Sequence, residues 1–307
     1  MQNIKELKTK KILWINIDTA TLDNLKYLKN EFNFDMEDLN DCLPVLNRQK
    51  IHIREKYTFV VLQFPLFDRA SGVIKPSEVD FFISKNFIIS VHDGRLTPVA
   101  DFFHLCQTDQ VIKSQLRGET AFHLFYKMVH KLYGYCYPIL NHINLDIEKI
   151  DDDILKQPEE ATVAEILNVK RNIANFQKIM QAHRRIWQKF TEVAEQHANG
   201  NIVNSFNNLI SHTKDIWDYL SNYKDTVNAL HETQESMTSL KINEIMKTLT
   251  IFSVIVFPLT LLAAIFGMNT LGGMPFLRGE NGFWYVIGIM VLGMIFMFGY
   301  FKKRRWL

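Results

Sequence analysis

Two long stretches near the C-terminal end, Thr248 to Phe266 and Gly282 to Phe301, contain no charged side chain. Each is close to the ~20 residues an α-helix needs to cross the hydrocarbon core of a bilayer. Trp284 and Tyr285 stand at the start of the second stretch, and Tyr300 and Trp306 at or beyond its end. Amphiphilic rings so placed form an interfacial belt, for which a pair of buried helices in a soluble protein would have no use. Lys302, Lys303, Arg304 and Arg305 follow directly. Under the positive-inside rule this basic end faces the cytoplasm. Two spans return the chain to the side it came from, so both termini are expected in the cytoplasm and the chain in the cell (inner) membrane. The N-terminal segment MQNIKELKTKK is polar and leads into no signal-type apolar core, so the membrane is expected to be entered from the C-terminal end.

The 307 residues carry a formal net charge of +2. That balance gives no case for a nucleic-acid partner. Cys42, Cys106 and Cys136 are scattered, odd in number and without a CxxC pair, which fits a reducing compartment and argues against a disulfide scaffold or thiolate metal site. Ile12 to Ile17, Ile51 to Arg54, Thr58 to Phe67, Glu78 to Ser84 and Phe87 to His92 read as strands of a mixed or antiparallel sheet. Leu22 to Phe34 and Met36 to Leu43 read as short helices. After Pro98 the pattern turns helical, with long helices expected over Thr120 to Gln157 and Thr162 to Gln196 and a third from Asn204. Strands followed by helices indicate an α+β head. The expected organisation is an α/β cytoplasmic domain over 1–118, long antiparallel helices over 119–203, a stalk helix over 204–247, transmembrane helices over 248–266 and 282–301 with a loop over 267–281 between them, and a basic tail over 302–307.

From Asn204 to Phe266 the one strong helix breaker is Pro258, which inside a membrane span kinks rather than ends a helix. Ile216, Leu220, Tyr223, Val227, Leu230, Met237 and Leu240 fall mostly at heptad-type steps, the pattern of a helix packed along one seam. Asp218, Asp225, Glu232, Ser236, Ser239 and Asn243 follow similar steps displaced by two residues, about 200° around the helix. Continuing this polar stripe leads to Met246, Thr250, Ser253, Phe257, Thr260 and Ala264, and ends at the Gly267–Met268 turn. Hydroxyls in such a span can bond back to their own helix or to a neighbour. Their alignment with the acidic stripe points to water and ions on that side. Several copies around an axis would turn each stripe residue into a ring, with the second span outside, where Gly288, Gly293 and Gly299 allow close approach to a neighbour.

The segment NEIMKTLTIFSVIVFPLTLLAAIFGMN, followed by a short loop, one more span and YFKKRRWL, resembles the CorA family of divalent metal transporters. The close match covers about Asn243 to Leu307; upstream, the order of elements agrees. The resemblance implies a homopentamer in the lipid bilayer, a cytoplasmic funnel whose stalk helices continue into pore-lining spans. Gly267, Met268 and Asn269 match the family's selectivity signature, with Asn269 forming the outer ring. Asn243, Met246, Leu249 or Thr250, Phe257 and Thr260 match pore-lining positions, the bulky apolar ones acting as a constriction, and Ser253 joins them on the stripe. Cytoplasmic Mg2+ bound between subunits is implied to close the pore. Mg2+ dehydrates reluctantly, and neutral amide oxygens accept hydrogen bonds from its water shell without holding the ion as a carboxylate ring would. Gly267 would let the helix end turn so that Asn269 faces the axis.

The sequence departs from the family pattern in two places. Met274-Pro275-Phe276-Leu277 lacks the acid common in the family's outer loop, and with Gly272-Gly273 before it looks more like the zinc-transporting branch. Asn208 stands where an acidic regulatory ligand is expected; Asp215, Asp218, Asp225 or Glu232 could substitute. Neither span contains His or Cys, the ligands zinc prefers. The expected cargo is therefore Mg2+ with Co2+ or Ni2+, and Zn2+ is the alternative. No cofactor is implied beyond the transported or regulatory divalent cation, Mg2+ first. A membrane-anchored coiled-coil scaffold or sensor is the different-class alternative; it leaves the polar stripe unexplained. With no Walker loop, GxGxxG or GxSxG, the chain is not expected to be an enzyme. The acidic run Asp146, Glu148, Asp151, Asp152, Asp153 reads as a solvated helix end.

Overall fold

The structure, a computed structural model, describes residues 3–43, 48–116, 119–156, 163–197, 200–268, 281–304 and 306. The chain divides into two compact units, Met1–His231 and Glu232–Leu307.

The first unit holds a six-stranded sheet. In chain order the strands are β1 (Ile4–Lys8), β2 (Leu13–Asp18), β3 (Lys50–Ile53), β4 (Thr58–Asp68), β5 (Val73–Ile83) and β6 (Phe87–His92), arranged β1-β2-β6-β5-β4-β3. Among the described strands only β2 and β6 run parallel, so the sheet is mixed. Its central strands read as nearly unbroken apolar runs because helices cover both faces. Along β4, Phe59 and Val61 join Ile15, Ile17, Phe82 and Ile89 on one face, while Val60, Leu62 and Phe64 join Trp14, Phe81 and Ile88 on the other.

The first face is covered by α1 (Leu22–Phe32) and α2 (Met36–Asp41). A capping box starts α1: the Thr21 hydroxyl accepts from the Asn24 amide, and Asn24 Oδ1 accepts from the Thr21 amide at 2.9 Å. Asn33, in the left-handed region at φ 53°, ends it. The second face meets α3 (Thr97–Thr108), α4 (Gln110–Leu116), α5 (Ala121–Lys156), α6 (Val163–Met180), α7 (His183–His197) and the first part of α8 (Gly200–Phe266). On α8, Ile202, Phe206, Leu209, Ile216, Leu220, Val227 and Leu230 are all buried. The expected seam thus holds to Leu230, with Tyr223 half-buried, whereas Leu240 is exposed.

Two elements differ from expectation. The N-terminal polar segment forms edge strand β1, paired with β2 from Ile4↔Ile17 to Lys8↔Leu13; its exposed Lys5, Glu6 and Lys8 suit an unpaired edge. The helix expected over Thr162 to Gln196 is two, broken at Gln181–Ala182. The break seats His183 in the core. Its Nε2 donates to the Gln63 carbonyl on β4 (2.8 Å), and its Nδ1 meets the Tyr133 hydroxyl on α5 (2.8 Å). The same hydroxyl accepts from Trp187 Nε1 (2.7 Å) and meets Thr213 Oγ1 on α8 (2.6 Å). One oxygen therefore ties α5, α7 and α8 together, with strand β4 joined through the histidine.

The second unit contains the rest of α8 and α9 (Gly282–Lys303). Ile251, Ile255 and Leu259 on α8 are buried in a cluster with Phe301, Met290 and Met297 of α9. The four-residue spacing on one helix and the seven- and four-residue spacing on the other put each set on a single face. Past Pro258, α8 continues without interruption to Phe266.

Two measurements check these packing arguments. Burial holds the His183 imidazole neutral, lowering its pKa from 6.5 to about 4. A depressed folded-state value means stability is intact above pH 6.5 and is lost as pH falls toward 4, by on the order of 3 kcal/mol. Urea midpoints of the wild type should fall across that window more steeply than those of His183→Gln. In the second unit, Leu259→Ala opens a gap against α9 worth roughly 2 kcal/mol and should lower the thermal midpoint in detergent, whereas Thr260→Ala, one residue on, should leave it unchanged.

Candidate functional site

Ile251, Ile255 and Leu259 define the covered face of the second half of α8. At 100° per residue, Asn243, Met246, Leu249, Thr250, Ser253, Phe257 and Thr260 all lie about 120° to 180° away from Ile255. They form the face opposite the α9 contact. All are exposed except Ser253, which is half-buried. The large apolar members are the more conspicuous for it: Met246 is 53% exposed, Leu249 56% and Phe257 70%.

The polar members bond to their own helix. Thr250 Oγ1 donates to the Met246 carbonyl (2.7 Å), Ser253 Oγ to Leu249 (2.9 Å) and Thr260 Oγ1 to Val256 (3.0 Å). Such back-bonding satisfies the hydroxyl proton within the helix and leaves oxygen lone pairs free to accept. The face therefore offers acceptors and no carboxylate, set between bulky apolar side chains.

The helix closes at Gly267, whose amide donates to the Ala263 carbonyl at 2.9 Å, with Met268 donating to Ile265 at 3.3 Å. Gly267 is not in the left-handed region. Its missing side chain matters sterically, because a Cβ there would lie 3.1 Å from the Ala263 carbonyl oxygen. The onward turn that Gly267 is expected to allow, toward Asn269, lies outside the described residues. Met268 is 60% exposed. Asn269 and the loop from Leu271 to Glu280, with the Gly272-Gly273-Met274-Pro275-Phe276-Leu277 segment, lie outside the described residues.

Asp215, Asp218, Asp225 and Glu232 are exposed on α8, as is Asn208. The seven-residue intervals from Asp218 to Asp225 to Glu232 separate them by about 10 Å each, so they do not converge within one chain. Among the described residues, one group of three potential metal ligands comes together, Glu37, Asp38 and His52. A guanidinium already fills it. Arg54 donates from Nε to Asp38 Oδ2 (3.0 Å) and from Nη2 to Asp38 Oδ1 (2.9 Å) and Glu37 Oε2 (3.2 Å), and the Tyr57 hydroxyl donates to Asp38 at 2.7 Å. Burial alone would raise the Asp38 pKa, but hydrogen bonds from Arg54, His52 and Tyr57 outweigh it and hold the carboxyl below its ordinary range. The group is a clasp between α2 and the β3 edge. The Asp146–Asp153 run is solvated as expected, with Asp146 beside His142 (3.3 Å) and Asp152 beside Lys156 (2.6 Å). The contact stripe of α9, Met290, Met297 and Phe301, is not among the residues singled out from the sequence; its seven-then-four spacing was the available signal.

Both α8 and α9 contain windows long and apolar enough to cross a membrane, and only 11% of each window is buried. Core helices of a soluble protein would be covered. The chain is 28% identical over 296 residues to the cobalt/magnesium transport protein CorA of Thermotoga maritima, covering 96% of this chain and 83% of that protein. The fold matches the complete structure of the CorA magnesium transporter from Methanocaldococcus jannaschii with a TM-score of 0.84 at 19% identity, covering 99% and 94% of the two chains. It also matches the cytoplasmic domain of ZntB from Vibrio parahaemolyticus, with a TM-score of 0.57 at 12% identity over 78% of this chain and 99% of that one. The family described as CorA-like Mg2+ transporter protein matches residues 9–303, and the chain belongs to that family.

Proposed function

We propose that five copies of this chain surround an aqueous path lined by the open face of α8, and that divalent cations cross the membrane along it. The observation that carries this reading is the division of α8 into a face covered by α9 and an opposite face that is uncovered yet bears three hydroxyls in line. A membrane anchor would gain nothing from that line. Met246, Leu249 and Phe257 form the constriction, where apolar rings gate by excluding water. Asn269 supplies the outer amide ring. In this arrangement α9 faces lipid, the termini are cytoplasmic and the membrane is the inner one. Asp215, Asp218, Asp225 and Glu232 are placed for carboxylates of adjacent copies to share Mg2+ and hold the path closed, with Asn208 as a weaker neutral partner.

The cargo we assign is Mg2+ and Co2+. Hydroxyl and amide oxygens suit a hydrated hard cation, and the Thermotoga maritima relative carries those two metals in its name. Zn2+ is the second reading, favoured by the Gly272-Gly273-Met274-Pro275 loop.

Proteoliposome uptake of Mg2+, Co2+, Ni2+ and Zn2+, with and without a proton gradient, separates the two. Saturable Mg2+ and Co2+ uptake exceeding Zn2+ uptake is the expected result; Zn2+ uptake alone would reverse the assignment. Asn269→Ala should abolish uptake or its selectivity while leaving the oligomer intact, and equal fluxes in variant and wild type would remove the amide ring from the mechanism.

A further inference from the structure

In the first unit a cleft of about 1200 Å3 opens beside the β3 edge of the sheet and helices α6 and α7. Its lining carries six cations, Arg48, Lys50, Lys75, Lys178, Arg185 and Lys189, and no carboxylate. Two of the six are neutralised: Lys50 Nζ lies 2.5 Å from Asp41, and Lys75 Nζ 2.6 Å from Asp68. Arg48, Lys178, Arg185 and Lys189 have no carboxylate partner among the described residues. Elsewhere on the same unit some lysines and arginines meet acids, as in Lys149–Glu165 and Arg95–Asp93. With a net charge of +2 over the chain, this concentration is not a consequence of composition. Like charges facing one concavity repel, and the repulsion is relieved by a multivalent anion.

The elements around the cleft add to its preference. Arg185 and Lys189 stand one turn apart on α7 and project from the same face. Gln181 and Ala182, at the break before α7, also line the cleft, bringing the positive end of that helix's dipole to it. Gln49 forms part of the lining. Its Nε2 donates to the Ile179 carbonyl at 2.6 Å, while its buried Oε1 has no hydrogen-bond partner among the described residues. A ligand hydroxyl or N–H would satisfy that acceptor once the Gln49 side chain turns toward the cleft.

We infer that this cleft binds a phosphate-bearing small anion of the polyphosphate or nucleoside polyphosphate class. Guanidinium groups match phosphate oxygens two at a time, and lysines add point charges. A concave site with a buried acceptor fits a discrete small molecule. The inference is independent of the transport reading, because all the residues lie in the first unit and binding is measured without ion flux.

The test is isothermal titration of the full chain in detergent with sodium tripolyphosphate, and separately with ATP, both with a chelator present to keep the phosphates metal-free. Saturable binding is expected, weakening as salt is raised. The double variant Arg185→Gln/Lys189→Gln, altered at two exposed positions, should bind at least tenfold more weakly; Lys26→Gln, outside the cleft, should bind as the wild type does. Tighter binding of ATP than tripolyphosphate, lost in Gln49→Leu, would assign the Gln49 acceptor to the nucleoside; equal affinity would keep the site for the polyphosphate chain alone. Absence of saturable binding, or equal binding by the double variant and the wild type, overturns the proposal. So does a double variant that changes oligomeric state, since the cleft would then serve a neighbouring copy.

Discussion

Helix α8 has more than one face to satisfy, and the chain covers one of them. From Ile202 to Leu230 the covered side belongs to the core of the first unit, and from Ile251 to Leu259 it belongs to α9. The side left open carries carboxylates in its earlier part and hydroxyls in its later part. The change of chemistry follows the change of solvent. A carboxylate in water costs nothing, whereas a charge at the depth of a bilayer is expensive and survives only with a partner or a water-filled space. A hydroxyl can enter the same region because its proton finds a carbonyl one turn back. Candidate path and proposed assembly both rest on that uncovered side.

The first unit solves a different problem, holding six helices against one sheet face. The Tyr133 hydroxyl does so at a single point, with partners on α7 and α8 and a link through His183 to the strand carrying Gln63. Buried polar groups are tolerable when every member is satisfied. The histidine is kept neutral by the same burial that fixes its orientation. Asp38 is the contrasting case: a buried acid that stays ionised because a guanidinium and a phenol reach it.

Sequence pattern made most of this architecture legible, because apolar periodicity is a direct record of burial. The strands β2 to β6, the helices α1 and α2, and the seam from Ile216 to Leu230 all follow from it. The elements that escaped are those whose cause lies elsewhere in the chain. Strand β1 is a charged edge whose pairing with β2 supplies the order that its own residues do not. The α6–α7 break contains neither Gly nor Pro; it exists because His183 must reach Gln63 and Tyr133, which are distant in sequence. At the candidate site, spacing was enough to place Asn243 through Thr260 on one side. It could not say that the opposite side meets α9 through Met290, Met297 and Phe301, nor that a side chain at Gly267 would crowd the Ala263 carbonyl.

The inward-turned protons of Thr250, Ser253 and Thr260 have a consequence for the sign of charge favoured along the proposed path. A hydroxyl free to rotate solvates anions and cations alike, giving its hydrogen to one and its oxygen to the other. Once the hydrogen is committed to a backbone carbonyl, only the electron-rich side is presented. At these three positions an anion would find no hydroxyl proton to bind, whereas a hydrated metal would meet oxygen. Discrimination by sign of charge of this kind needs no fixed negative residue, and so avoids the deep well that would trap a divalent ion on its way through.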